Sequence, residues 1–291
     1  MRIPDNVSYL SFLGDLQRTQ EQALKAQMQV TSGQKVSKPS DDPGAASDIV
    51  RLSGEKAAGD QFEKNVDSAR SRLSAADITL DGVEVMVERA RELGLLSLGN
   101  LSNGSAYKAE IEGLREQLIS AANTTHQGRY NFGGSVSSVA PFVKDNASVV
   151  SYQGNSIDMT LQVGRNTTLQ TQIPGDEVFT GSVDIFATLS DLLGALDAGD
   201  HDGIAAQVKK LEQVSETVST ARSRIGGYIN VADSTSRQLA AAGLSRAQEL
   251  NEVQSADTAQ AITQLTLSQT SLQATLAVGA RIAQMSLLDY L

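Results

Sequence analysis

Cysteine and tryptophan are both absent from the 291 residues, and aromatic residues make up only 4%. Without cysteine there is no disulfide framework, no thiolate nucleophile and no cysteine-ligated metal. A composition so poor in aromatics and so rich in Ala, Gln, Ser and Thr suits helices that each bury one narrow stripe, better than a thick globular core. The only histidines, His126 and His201, lie far apart without an accompanying carboxylate pattern, so no histidine metal site is expected. Walker loops, dinucleotide fingerprints and Gly-x-Ser-x-Gly elbows are missing as well. Gly133-Gly134 reads as the end of a helix-to-strand transition, because no helix start with basic residues follows it. Long apolar runs are lacking: none reaches about 18 residues, and Met1 to Asn6 is not a basic region leading into an apolar one. Neither a Sec signal nor membrane insertion is expected. Positive charge is scarce, with 24 Lys and Arg against 34 Asp and Glu, and no basic run could neutralise a phosphate backbone. Nucleic acid is therefore not an expected partner.

What the chain does have is period. Phe62, Val66, Ala69, Leu73, Ala76, Leu80, Val83, Val87 and Ala90 follow alternating steps of four and three, all apolar. In a chain that is 40% hydrophobic, nine such matches in one register arise by chance on the order of 3 times in 10,000. Leu211, Val214, Val218, Ala221, Ile225, Tyr228, Ala232, Thr235, Leu239 and Ala242 repeat the pattern near the other end, with Thr235 the only polar member. A period of 3.5 residues keeps a thin apolar seam on one side of a helix, the geometry of long helices wound together. The fold class predicted is mainly α with a small β insertion: an elongated antiparallel helical stem made from both chain ends.

Met1 to about Val36 reads as one helix after Pro4, with Tyr9, Phe12, Leu16, Thr19, Ala23, Ala26 and Val30 on a seam. Leu10, Leu13, Leu24 and Met28 lie beside it, and so broad a stripe implies more than one neighbour. Pro39, Ser40, Asp41, Asp42, Pro43 and Gly44 then stop the helix, and Asp42 before Pro43 predicts an N-cap followed by a new helix. The paired acids are explained as turn and cap residues, so no catalytic role is assigned to them. The second helix should run to about Leu98, and a third, carrying Tyr107, Ile111, Leu114, Leu118, Ala121 and Thr125, should end at Gly128. Strands are expected at Val149 to Gln153, Ile157 to Val163 and Thr168 to Ile173, joined by tight turns such as Gly154-Asn155. Helix returns over Val183 to Ala198 and from Ile204 onward, with Ala240-Ala241-Ala242-Gly243 either a joint or part of a continuous helix.

The segment from Thr258 to Ala280 contains no charged residue. A lone solvated helix carries Lys and Glu on its outer face, so this one is expected to pack on several sides, with Ile262, Leu265, Leu272 and Leu276 on its seam. A plain Thr/Gln-rich bundle helix is the alternative.

Several motifs converge on a family. Thr31-Ser32-Gly33-Gln34-Lys35-Val36 followed by Pro39, Ser40, Asp41, Asp42 and Pro43 resembles the N-terminal signature of flagellins. Asn123-Thr124 with Gly128-Arg129-Tyr130-Asn131-Phe132-Gly133-Gly134 resembles the family's exit from its helical stem, and the C-terminal helix closing on Met285 to Leu291 resembles the return. The Met1-Arg2-Ile3 start, the Asp-Asp-Pro form of the turn, the short β segment and the Ser286 to Leu291 ending are nearer the family's junction members than its filament subunits. Pro4 departs from the Ser or Thr common at that point.

The resemblance implies a structural protein, not an enzyme, with no catalytic, cofactor-binding or metal-binding residues. It implies unfolded export through the flagellar type III apparatus and assembly outside the cell, at the hook-filament junction. Its partners would be like subunits in a ring, a second junction protein, flagellin and an export chaperone. The expected layout is an assembly helix over 1–42, an outgoing stem over 43–129, a β-rich insertion over 130–180, a returning stem over 181–245 and a second assembly helix over 246–291. The two assembly helices would be mobile in the free subunit. Leu10, Leu13, Leu16, Leu24, Ile262, Leu265, Leu272, Leu276, Leu287 and Leu288 are the expected assembly interface, and Pro39, Asp41, Asp42 and Pro43 the family turn. A short flagellin is the second reading. A cytoplasmic coiled-coil scaffold, needing neither the β insertion nor the uncharged helix, is the reading from another class.

Overall fold

The computed structural model of the chain describes residues 5–99, 104–145 and 149–288, with side-chain surroundings from residue 10 to residue 281. Its elements are α1 (Asp5–Ser32), α2 (Pro43–Gly99), α3 (Gly104–Ala122), β1 (Thr125–His126), β2 (Arg129–Tyr130), β3 (Phe142–Lys144), β4 (Val150–Tyr152), β5 (Thr160–Gln162), β6 (Thr168–Gln170), α4 (Gly175–Phe179), α5 (Ile185–Ala198), α6 (His201–Gln254) and α7 (Thr258–Leu288). The fold is mainly α with a small β portion, as the heptad pattern predicts. The chain packs as two compact units, one of Met1–Ala58 with Ala242–Leu291 and one of Gly59–Ala241.

The larger unit is built on α2 and α6. Val66, Ala69, Leu73, Ala76, Leu80, Val83, Val87 and Ala90 are buried, and so are Leu211, Val214, Val218, Ala221, Ile225 and Ala232. The helices run antiparallel: Arg70 reaches Asp233 at 3.3 Å, Arg222 reaches Glu84, and Val208 lies over Gly94. Arg222 receives three carboxylates, Glu84 at 2.6 Å, Asp81 at 2.8 Å and Asp77 at 3.3 Å. Spacings of four and three put those acids on one side of α2, where one guanidinium reaches them all. Near the other end of the seam, Val163 and Leu169 of the β5–β6 segment pack with Val66, Ala69 and Ala232, and Leu239 packs against that cluster. Helix α6 is continuous through Ala240-Ala241-Ala242-Gly243.

The β portion differs from the expectation in its pairing. Among the described residues three separate antiparallel hairpins form, β1–β2, β3–β4 and β5–β6. Strand β4 pairs with β3, Phe142 opposite Tyr152, and not with the segment after it. Gly154-Asn155 is no hairpin turn. Asn155 instead fastens the preceding loop, its Oδ1 accepting from the Ser135 N–H at 2.9 Å and its N–H donating to the Gly133 carbonyl at 3.3 Å. Helix α3 stops at Ala122, short of the predicted Gly128, because Asn123 is taken by another segment. Its Nδ2 donates to the Phe142 carbonyl at 2.8 Å and its Oδ1 accepts from the Phe142 N–H at 3.0 Å, an amide standing in for a strand neighbour.

The few aromatics are concentrated where these hairpins meet the helices. Phe179 has ring centroids 5.2, 5.1 and 6.1 Å from Phe132, Phe142 and Phe186, and Tyr152 lies 5.1 Å from Phe142. The rings belong to the same core as Leu73, Leu80 and Leu189, so the β portion and the helices share one interior. Phe179→Ala should therefore destabilise this unit by about 3–5 kcal/mol. Chemical denaturation monitored by circular dichroism measures it, and a loss below about 1 kcal/mol would show that the aromatic cluster is peripheral.

Candidate assembly surfaces

In the smaller unit α1 and α7 lie antiparallel. Phe12 meets Gly279 at one end, and at the other the Lys35 N–H donates to the Gln254 carbonyl at 2.8 Å and the Ala256 N–H to the Gly33 carbonyl at 2.9 Å. The facing seams are heptads: Phe12, Leu16, Thr19, Ala23, Ala26 and Val30 on α1, with Ala261, Leu265, Ser268, Leu272, Thr275 and Gly279 on α7, all buried or half-buried. Small residues let the helices approach closely. A Cβ on Gly279 would fall 2.1 Å from Phe12 Cζ, so glycine is what admits the ring.

Pairing α1 with α7 divides the predicted interface in two. Leu13, Leu16, Leu265 and Leu272 are half-buried in this unit, whereas Leu10 (61%), Leu24 (59%), Ile262 (51%) and Leu276 (50%) remain exposed. The side chains of Leu287 and Leu288 lie outside the described residues. At about 100° per residue, Leu10, Leu24 and Met28 fall on the side of α1 opposite its seam. Ile262 and Leu276 flank the α7 seam on one side, and Leu267 and Val278, also exposed, flank it on the other. Sequence reading missed Leu267 and Val278 because they break the heptad register. With no charge from Thr258 to Ala280, both flanks expose large apolar side chains among uncharged Gln, Ser and Thr, and neither carries the Lys and Glu of a solvated helix face.

The turn between α1 and α2 is held by its two acids. Asp41 Oδ2 accepts from the N–H groups of Lys38 (3.1 Å) and Ser37 (3.3 Å), and its Oδ1 meets Lys25 Nζ at 3.0 Å, tying the turn back to α1. The hydrogen bond from Lys25, then that from the Lys38 backbone, lower the Asp41 pKa from 3.8 to about 2. Asp42 Oδ1 accepts from the Ala45 N–H at 3.0 Å, capping α2, which begins at Pro43. Pro39 stands in the turn, and Pro43 occupies a first helical position where its missing N–H costs nothing.

Among the described residues there is no group of three or more His, Cys, Asp or Glu side chains placed to hold a metal ion. His126 Nε2 lies 3.2 Å from Ser71 Oγ, and His201 starts α6.

Residues 3–137 match the family described as the bacterial flagellin N-terminal helical region. The chain is 27% identical over 302 residues to flagellar hook-associated protein 3 of Escherichia coli (strain K12), covering 94% of each chain. To the protein of that name in Salmonella typhimurium (strain LT2) it is 30% identical over 183 residues, 62% of this chain and 57% of that one. The solved structure of flagellar hook associated protein-3 from Legionella pneumophila superposes with a TM-score of 0.65 at 13% identity, covering 70% of this chain and 98% of that one. At that identity the likeness is one of fold.

Because the folded Asp41 pKa lies below the ordinary value, its contribution to stability is fully present above about pH 4 and is lost as pH falls toward 2. Thermal unfolding of the chain and of Asp41→Asn should differ at neutral pH and converge by about pH 2, the gap narrowing in salt because its partner Lys25 is exposed. A gap that persists at pH 2 would mean the substitution acts through something other than the carboxylate charge.

Proposed function

We propose that this chain, whose residues 3–137 match the bacterial flagellin N-terminal helical region, is a structural protein of the flagellin family and the adaptor joining the flagellar hook to the flagellin filament. The observation that carries this reading is the uncharged stretch of α7 from Thr258 to Ala280, with exposed Leu, Ile and Val side chains on both sides of the seam it shares with α1. Surface of that kind on both flanks suits a subunit with neighbours on each side, which is what a ring demands. The likeness to E. coli hook-associated protein 3 along 94% of each chain supports a junction role.

On this reading the partners are further copies of the chain in a ring, a second junction protein toward the hook, flagellin beyond, and a chaperone that covers the apolar terminal segments before type III export. The assembly helices 1–42 and 246–291 gain much of their order from neighbouring subunits, since helical stability in proteins comes mostly from packing and the seam between α1 and α7 leaves several large apolar residues uncovered. Residues 43–129 and 181–245 form the stem and 130–180 its β-rich portion. An adaptor between unlike lattices stops at a closed ring, whereas a filament subunit must present the same surfaces at both ends to propagate.

Loss of the gene should leave hooks intact but bare, with unpolymerised flagellin in the medium and the native protein a minor component of sheared flagella. Finding it as the bulk protein along the filament would make it a filament subunit instead.

Leu276→Asp should remove filament attachment while the isolated subunit keeps its melting transition. The exposed half of that side chain is worth roughly 1 kcal/mol per subunit when buried, and a charge there adds a desolvation cost. Leu272 is the wrong choice for this test, because it packs in the seam itself. Normal swimming by the Leu276 variant would remove α7's outer flank from the interface.

A further inference from the structure

Arg72 and Arg129 are neighbouring arginines that form no ion pair with any described residue. The turn between β1 and β2 is Gln127-Gly128, with φ of 51° and 75°, the left-handed pair that closes a two-residue hairpin and the reason glycine stands at its second position. His126 and Arg129 therefore sit directly opposite each other and project from one face of the hairpin. That face meets α2: His126 contacts Ser71, and Arg129 is close enough to Arg72 to act on it electrostatically. Burial first, and the Arg129 charge second, depress the Arg72 pKa. Arg72 donates one long hydrogen bond, 3.5 Å, to Gln172 Oε1, and Arg129 is exposed. Neither forms an ion pair with any described residue, whereas Arg70, Arg89, Arg91, Arg222 and Arg224 in the same unit all pair with acids. Two neighbouring guanidiniums, one of them half-buried, are held against their mutual repulsion, and a carboxylate or another anion placed between them would relieve it.

The complementary charge is on the same helix. Asp77, Asp81 and Glu84 share the single cation Arg222, so three carboxylates and one guanidinium leave two negative charges uncompensated, with the Asp81 side chain 62% exposed. Counted round α2 from Arg72, these acids stand at about 140°, 180° and 120°, on the opposite flank. A chain that carries the two charges on opposite flanks of one helix can offer its acids to one copy while its arginines stay open to the next.

We propose that Arg72 and Arg129 form a carboxylate-binding site filled by the Asp77, Asp81 and Glu84 cluster of a second copy of this chain. This deepens the ring reading and rests on it. The contact is heterologous, one surface against a different one, which is the kind that generates rings.

Charge exchange tests it in cells lacking the native gene, with Arg129→Glu, Asp81→Arg and the double variant supplied as full chains. Each single reversal places like charges across the contact, so the fraction of hooks bearing filaments should fall severalfold and flagellin in the medium should rise. The double variant restores opposite charges with the sign exchanged, and filament number should return toward the native level. Melting curves of the purified subunits establish that each variant folds. Two impaired single variants with no recovery in the double, or an Arg129→Glu chain that performs like the native one, would overturn the pairing while leaving the junction role intact. Failure of the junction role itself would show as filaments that persist without the gene. A free anion is separated by melting the purified subunit in millimolar inorganic phosphate. Stabilisation of the native chain that is lost in Arg72→Gln/Arg129→Gln would give the site to phosphate and overturn the second-copy assignment; no phosphate effect is the result expected.

Discussion

A heptad seam is a narrow thing to fold on. Each turn of α2 offers one or two apolar side chains, many of them Ala or Val, so its burial is worth having only if a second helix matches it turn for turn. Helix α6 provides that match through Leu211, Val214, Val218, Ala221 and Ile225, and the antiparallel register is marked by Arg222 among its three carboxylates. Those groups are partly exposed, so the cluster adds little stability as an ion pair; its value is in specifying axial position, since a shift by one heptad would leave three acids together without their cation. The surfaces on which the hairpins and shorter helices pack follow from this register.

The hairpins illustrate the dependence. Pairs of strands two or three residues long have no independent stability in water. Their order comes from what they rest on: Val163 and Leu169 sit on the α2/α6 seam, and Phe142 and Tyr152 enter the aromatic cluster with Phe132, Phe179 and Phe186. A chain short of aromatics has placed four of its six phenylalanines at the one point where a stripe of Ala and Val could not fill the space.

The same physics explains what could be read in advance. The α2 and α6 seams were legible because nine or ten positions repeat one period, and burial follows that period nearly residue for residue. Strands β4, β5 and β6 lie where the alternation places them, but β1, β2 and β3 were not legible, because alternation over two or three residues is too short to stand out, and because Asn123 leaves the helical pattern through a side-chain contact with Phe142, 19 residues away. On α7 the reading was half right for an instructive reason. It placed the seam through the large residues Ile262, Leu265, Leu272 and Leu276, whereas the seam that meets α1 runs through Ala261, Leu265, Ser268, Leu272, Thr275 and Gly279. Size alone does not mark burial here, because between these two helices small residues alternate with large ones such as Phe12, Leu16, Leu265 and Leu272.

That inversion bears on how α1 and α7 would serve an assembly. Had all their large apolar residues faced each other, the pair would have been closer to self-sufficient and its outside more polar, as in an ordinary hairpin of helices. Instead Ala, Ser, Thr and Gly supply much of the inner seam, while Leu10, Leu24, Ile262, Leu267, Leu276 and Val278 point away from it. A fully buried Leu or Ile is worth about 1.5–3 kcal/mol, and these six have gained only part of that within the subunit. The remaining gain is open to a neighbouring chain. On the proposed reading, in which the chain is exported unfolded and ordered where it assembles, the arrangement has a reason: a weak inner pair would not hold the segment closed, and further stabilisation would be released where neighbours are present.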